Sequence, residues 1–187
     1  GMVGSSFVLA GTTEEAVTLV EEGHVRHVAK GLTRIGSWTS CAVDTAQHVL
    51  SKGGFAVEVT DAPGQVLWEK VALNAAINPL TALLDVPNGR LTQVPEVRAL
   101  MRDLVVEAVK VSATEGYRFE QSLVEKAEAL CQQTKDNISS MLQDIRAKRR
   151  TEIDAISGEI LRRAQLAGLP CPRTRVVYQL IRGLEQR

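Results

Sequence analysis

The chain lacks several things, and each absence narrows what it can be. It has no net charge, because 22 lysines and arginines are matched by 22 aspartates and glutamates. Neutrality argues against a bulk nucleic-acid binder, which carries a basic surplus. It has only three cysteines, Cys41, Cys131 and Cys171, far apart and odd in number. That pattern supplies neither a metal-binding spacing nor a disulfide framework, so a reducing cytoplasm is the expected location. No apolar run approaches the roughly 20 residues of a membrane span, so no membrane partner is expected. The dinucleotide fingerprint G-x-G-x-x-G occurs nowhere. Gly31 and Gly36 have the spacing of a phosphate-binding loop, but Ser37-Trp38 comes next where Lys-Ser/Thr is required. His24 and His27 lie three apart with no third ligand nearby, and read as surface histidines.

What is present suffices for a folded core. The chain has 187 residues, 44% of them hydrophobic, enough for one domain or two small ones. Gly1-Met2 reads as a tag remnant before a start codon. Residues 5–60 are rich in Gly, Thr and Val. Phe7 to Ala10 is a short apolar run, and His24 to Ile35 reads as extended with a break at Gly31. Ser40 to Ser51 reads as a helix closed by Gly53-Gly54, and Phe55 to Val59 alternates as a strand. These pieces make part of an α/β sheet with too few strands for a whole domain. Asp61-Ala62-Pro63-Gly64 reads as a turn and as the domain boundary.

From Gln65 onward the pattern is helical. The stretch Trp68 to Leu84 is apolar except for Lys70, Asn74 and Asn78, spaced four apart and hence on one helix face. Asn is a poor helix former, because its side chain competes for backbone hydrogen bonds. Pro79 comes directly after Asn78, removes a donor, and is expected to kink the helix and free a carbonyl beside the amides. Two readings stand: a solvated stripe on an amphipathic helix, or a site joining one cation and two amides for a small anionic, oxygen-rich ligand. Further on, Pro95 opens a helix with an apolar stripe at Val97, Met101, Leu104, Ala108 and Val111, closed by Gly116. Ser122 to Glu125, Ser140 to Gln143 and Thr151 to Asp154 have the form of capping boxes. A break is therefore expected near Arg149-Arg150, and Ser140 and Glu152 are expected at helix N-termini. There they either cap or assist an anion. The basic run Arg146, Lys148, Arg149, Arg150 reads as a solvated face rather than a phosphate clamp. Pro172 opens a terminal helix with Val176, Val177, Leu180, Ile181 and Leu184 apolar.

Four blocks in order resemble the ketopantoate reductase (2-dehydropantoate 2-reductase) family. They are Lys70-x3-Asn74-x3-Asn78-Pro79-Leu80-Thr81-Ala82, Pro87-Asn88-Gly89, Asn137 to Asp144, and Thr151-Glu152 to Gly158. Gly11-Thr12-Thr13 and His27 to Gly36 resemble later strands of that family's nucleotide domain.

The resemblance implies a mainly α fold: a helical domain of the ketopantoate reductase / 6-phosphogluconate dehydrogenase-like type at 64–187, preceded at 1–63 by a partial α/β segment without the fingerprint. It implies hydride transfer from NADPH to the ketone of 2-dehydropantoate, giving pantoate for pantothenate biosynthesis. Lys70 would be the catalytic lysine, Asn74, Asn78, Asn88 and Ser140 substrate contacts, and Glu152 the acid at the nicotinamide ribose and substrate hydroxyl. A chain without the fingerprint is expected to be inactive alone. A non-catalytic substrate-binding or dimerisation module, or a reductase of another branched 2-keto acid, are the alternatives. The open sheet edge, at Phe7, Val8, Leu9, Val57 and Val59, predicts a homodimer or larger assembly.

Overall fold

The computed structural model describes residues 7–186, with the backbone alone at positions 16, 18, 19 and 28. Gly1-Met2 lies outside the described residues. The chain divides after Trp68 into two compact units.

In the first unit, β1 (Leu9–Thr13) pairs antiparallel with β4 (Leu32–Ser37), which pairs in parallel with β5 (Ala56–Val59). Parallel strands cannot be joined by a tight turn, and α1 (Asp44–Lys52) supplies the crossover. The sheet order is β1-β4-β5, and β2 (Ala16–Glu21) with β3 (His24–Ala29) forms a separate antiparallel ribbon. The break at Gly31 separates β3 from β4. Gly36 is required where it stands, since a Cβ there would lie 2.4 Å from the Thr60 carbonyl oxygen. Of the strand residues expected to lie open, Phe7, Val8 and Val59 are exposed, while Leu9 and Val57 are half-buried.

Two boundaries differ from the sequence reading. Helix α1 starts at Asp44, because Ser40 takes a left-handed backbone with φ 58°. Pro63-Gly64 is not the end of a turn but the first residues of α2 (Pro63–Leu84). Proline at a first helical position costs nothing, because its missing N–H would be unbonded there anyway.

The second unit is helical: α3 (Pro95–Thr114), α4 (Leu123–Gln133), α5 (Ser140–Arg146), α6 (Glu159–Leu166) and α7 (Pro172–Leu184) come after α2. Helix α3 packs against α4, α6 and α7. Its stripe Met101, Leu104, Ala108 and Val111 is buried. On α7, Val177 and Ile181 are buried, but Val176 and Leu180 are more than half exposed. Their place in the core is taken by Thr174, because the α7 N-terminus is capped from α3. The buried Glu107 carboxylate accepts hydrogen bonds from the Arg173 and Thr174 N–H groups and the Thr174 hydroxyl, at 3.0, 2.8 and 2.7 Å. Cys171 at the cap position makes no side-chain bond there, so an anion from a neighbouring helix meets the free N–H groups. Cys131 and Cys171 are buried, and Cys41 in the first unit is half-buried. Burial pushes the Cys131 thiol up to about 11 and raises that of Cys171. No described helix is long and apolar enough to cross a membrane.

At the start of α6, hydrogen bonds from Arg162, and then Arg163, pull the Glu159 carboxyl down to about 2 from 4.5. Its folded pKa is depressed, so its stabilising effect is complete above pH 4.5 and disappears as pH falls toward 2. Glu159→Gln is therefore expected to lower Tm near neutrality and to leave it unchanged at the acid end. Thermal melts across that range check this, and parallel curves for the two proteins would show that the ion pairs add nothing.

Candidate functional site

The stripe on α2 is graded. Lys70 is exposed, Asn74 is half-buried, and Asn78 is buried with 7% of its surface accessible. At about 1.5 Å rise per residue, the stripe covers roughly 12 Å. Around it Ala72, Leu73, Ala75, Ala76, Ile77 and Leu80 are buried. Beside the stripe, the Glu69 carboxylate accepts from Lys126 on α4 at 2.6 Å. The expected break at Pro79 does not occur, and α2 runs through it to Leu84. The missing donor still leaves the Ala75 carbonyl without a bond from that position.

Below Asn78 a line of hydrogen bonds leaves α2. The Thr81 hydroxyl donates to the Asn78 carbonyl at 2.8 Å and lies 2.7 Å from the Ser139 hydroxyl in a buried contact. With the Thr81 proton committed to Asn78, Ser139 is the donor in that contact. Ser139 in turn accepts from the Leu142 N–H at 3.1 Å. The cap of α5 is therefore Ser139, not Ser140. Ser140 is the first helical residue, and it is exposed. The expected partner Gln143 does not close a box, because its side-chain amide donates to the Ile138 carbonyl instead. Two adjacent serines can each cap, and the buried Thr81 hydroxyl decides between them.

Asn88 opens a short 3-10 turn, Asn88–Thr92. Its N–H donates to the Asn137 carbonyl and that of Gly89 to Lys135, each at 3.0 Å. The loop before Ser139 is thus laid along this turn. A Cβ at position 89 would meet the Lys135 Cβ at 2.7 Å, so only glycine permits the approach. The buried Asn88 side chain donates from Nδ2 to the Thr134 hydroxyl at 2.9 Å. Its Oδ1 is buried with no hydrogen-bond partner.

Glu152 is exposed, between α5 and α6. Thr151 does not pair with Asp154 as a box requires. Its N–H and hydroxyl both donate to Glu185 beyond α7, at 2.7 and 2.8 Å. Asp154 instead accepts from Arg150, Tyr178 and Arg182. Those bonds, Arg150 first, hold its carboxyl below the usual range. After Glu152 the helix opens with a π turn, Asp154–Gly158, a feature frequent at functional sites.

The basic run is surface. Arg146 pairs with Asp85, Arg149 with Asp144, and Arg150 with Asp154. His24 and His27 pair with Glu21 and Glu15, and the described residues hold no metal-binding group of three ligands.

The Thr81–Ser139 and Asn88–Asn137 bonds bring the elements of Asn78, Asn88 and Ser140 together, whereas Glu152 is held from α7. A recess of about 460 Å³ on α3 and α4, lined by Arg102, Asp103, Ser122 and Glu125, contains none of the six residues. Thr81 and Ser139 stand in the resembling blocks with no role assigned to them, and Glu185 was not singled out at all. A hydroxyl inside an apolar helix was the available signal for Thr81, and no local signal marked Glu185.

The family described as "Ketopantoate reductase PanE/ApbA C terminal" matches residues 64–185. The 2-dehydropantoate 2-reductase of Halobacterium salinarum is 36% identical over 188 residues, covering 99% of this chain and 62% of that protein. The chain thus spans less than two thirds of that relative's length. A PanE/ApbA family ketopantoate reductase from Ralstonia eutropha is similar in structure, with TM-score 0.88 and 31% identity over 95% of this chain and 59% of that one. A dimeric ketopantoate reductase from Staphylococcus aureus has TM-score 0.82 and 25% identity, over 95% of this chain and 62% of that one.

Thr81→Val keeps the shape and removes the hydroxyl, leaving Ser139 a buried donor without its acceptor. A loss of about 1–3 kcal/mol is expected in urea unfolding, with Thr81→Ser much milder. Equal stability of the Val variant would show that the contact does not hold α5 on α2.

Proposed function

The chain belongs to the ketopantoate reductase family, and from that premise we propose that it is the substrate-binding and catalytic part of an NADPH-dependent 2-dehydropantoate 2-reductase. Residues 64–187 are read as the helical catalytic domain and 1–63 as part of the nucleotide domain. The observation that carries the reading is the graded α2 stripe. A polar series entering a core is costly unless it is used, and this one has a cation at its wet end and an amide at its dry end.

In this reading the ketone oxygen of the 2-keto acid lies at the Lys70 ammonium. A reduced nicotinamide, when bound, supplies the hydride that reaches the ketone carbon. The Lys70 ammonium stabilises the growing alkoxide and gives it a proton, which completes the alcohol. Asn74 and Asn78 hold the substrate's oxygens one and two turns along. Ser140 contributes a hydroxyl from the element locked to α2 by Thr81. Asn88 offers its buried Oδ1, which accepts from a ligand hydroxyl. Glu152 serves the cofactor ribose and the substrate hydroxyl.

The cofactor is only partly provided for. No glycine turn for dinucleotide phosphates occurs in these 187 residues, and Glu152 is the one residue assigned to the cofactor. The 187-residue chain is therefore expected to give no turnover with NADPH and 2-dehydropantoate. In a full-length enzyme carrying these residues, Lys70→Ala is expected to lower kcat by roughly two to three decades. Helix content should be unchanged, because alanine is a strong helix former. A retained kcat with lowered Tm would leave the stripe as a solvated face.

The same reading extends to assembly in the cytoplasm as a homodimer. The exposed Phe7, Val8 and Val59, with Val176 and Leu180 on α7, supply apolar surface for it. Light scattering at micromolar concentration is expected to give at least twice the chain's mass of 20.3 kDa, and a clean monomer would overturn this part.

A further inference from the structure

We propose that Glu185 is a positioning residue for Glu152, and that α7 is the clamp through which it acts. The proposal rests on the reading of Glu152 as the carboxylate serving the cofactor ribose and substrate hydroxyl.

Glu152 is exposed and lies outside regular helix. The backbone before it takes a left-handed step at Lys148, with φ 53°, and a π turn begins just after it, at Asp154. A carboxylate there has many orientations open to it. A hydrogen bond that must form at a reacting centre tolerates displacements of a few tenths of an ångström. Something must fix the backbone on either side.

The bonds that do so bracket the residue. Glu185 Oε1 accepts from both donors of Thr151, immediately before Glu152, at 2.7 and 2.8 Å. The Thr151 hydroxyl then accepts from the Ile153 N–H, immediately after Glu152, at 3.2 Å. Glu185 is held from its other oxygen. Arg182 donates to Oε2 at 3.2 Å and also reaches Asp154 at 3.1 Å. Tyr178 donates to the second oxygen of Asp154 at 2.8 Å. Tyr178, Arg182 and Glu185 are spaced i, i+4, i+7, one face of a helix. That face grips the segment 151–154 on both sides of Glu152. The far end of α7 is pinned to α3 by Glu107, so the clamp has a fixed base.

The arrangement is more than a local cap. Asp154 is in the right place in sequence to receive the Thr151 N–H, yet it is turned to α7. A carboxylate with only 5% of its side chain accessible receives that N–H instead. Two buried donors on Thr151 depend on it.

The test compares Glu152→Ala, Glu185→Ala, Glu185→Gln and the double alanine variant in a full-length reductase, measuring kcat, KM for NADPH and keto acid, and Tm. Glu185→Ala is expected to lower kcat/KM about 10- to 100-fold, in the same parameter that Glu152→Ala changes. The double variant should be no worse than Glu152→Ala alone, since the second group acts only through the first. Glu185→Gln, which keeps an oxygen for both Thr151 donors but gives up the bond from Arg182, should recover most of the activity lost in Glu185→Ala. Should Glu185→Ala fail to fold, Thr151→Val carries the same comparison. Lowered Tm with native kinetics in Glu185→Ala, or losses that multiply in the double variant, would overturn the clamp and leave the reading of Glu152 intact. Native kinetics in Glu152→Ala would overturn that reading, and the clamp with it.

Discussion

The hydroxyls of Thr81 and Ser139 meet at 2.7 Å in a buried contact. Thr81 gives its proton to the Asn78 carbonyl and Ser139 accepts from the Leu142 N–H, so the Ser139 proton has the Thr81 oxygen as its acceptor, and a buried donor without one is costly. That requirement fixes how α5 sits on α2. It also fixes where Ser140 lies relative to Asn78, because Thr81 is bonded to the Asn78 carbonyl and Ser139 starts the helix that Ser140 belongs to. Without this contact the polar face of α2 would be a row of side chains. With it, two elements far apart in sequence present their polar groups in a constant relation. Gly89 does the same for Asn88, by letting the 134–138 loop lie against its turn.

A second principle recurs through the helical unit: helix ends are satisfied from a distance. Glu107 on α3 serves the N-terminus of α7, and Glu185 beyond α7 serves the start of the 151–154 segment. Both are carboxylates with little access to solvent, and both stand where free N–H groups and the dipole favour negative charge. Each bond therefore does two things at once, closing an exposed helix end and joining two elements. A local cap does only the first.

This is also why part of the molecule could be read from its residues and part could not. The α2 stripe, the stripe of α3, Pro95, Gly116, the Ser122 cap and the strand at β5 all arise from short-range patterns. The membership shown by residues 64–185 was legible in four spaced blocks. The capping boxes at Ser140 and Thr151 had the right spacing and the wrong partners. Their outcome depended on Thr81, 58 residues before Ser139, and on Glu185, 34 residues after Thr151. The α7 stripe was read too wide for the same reason, since the buried place of Thr174 is set by Glu107. Turn chemistry at Asp61–Gly64 was ambiguous, because Pro and Gly mark the start of a helix as readily as its absence. The six residues proposed for the site were picked out by pattern and resemblance, while the bonds that hold their elements were visible only in the fold.

The burial of two thiols has a practical consequence for reactivity. Only a thiolate attacks an alkylating reagent, and burial disfavours that form. Cys131, pushed up to about 11, and the buried Cys171 are therefore closed to such reagents while the helical unit stays folded. Cys41, half-buried on the other unit, is the one thiol with access to solvent. A maleimide dye would mark the sheet unit alone, and each further thiol modified would count a molecule whose helices had opened.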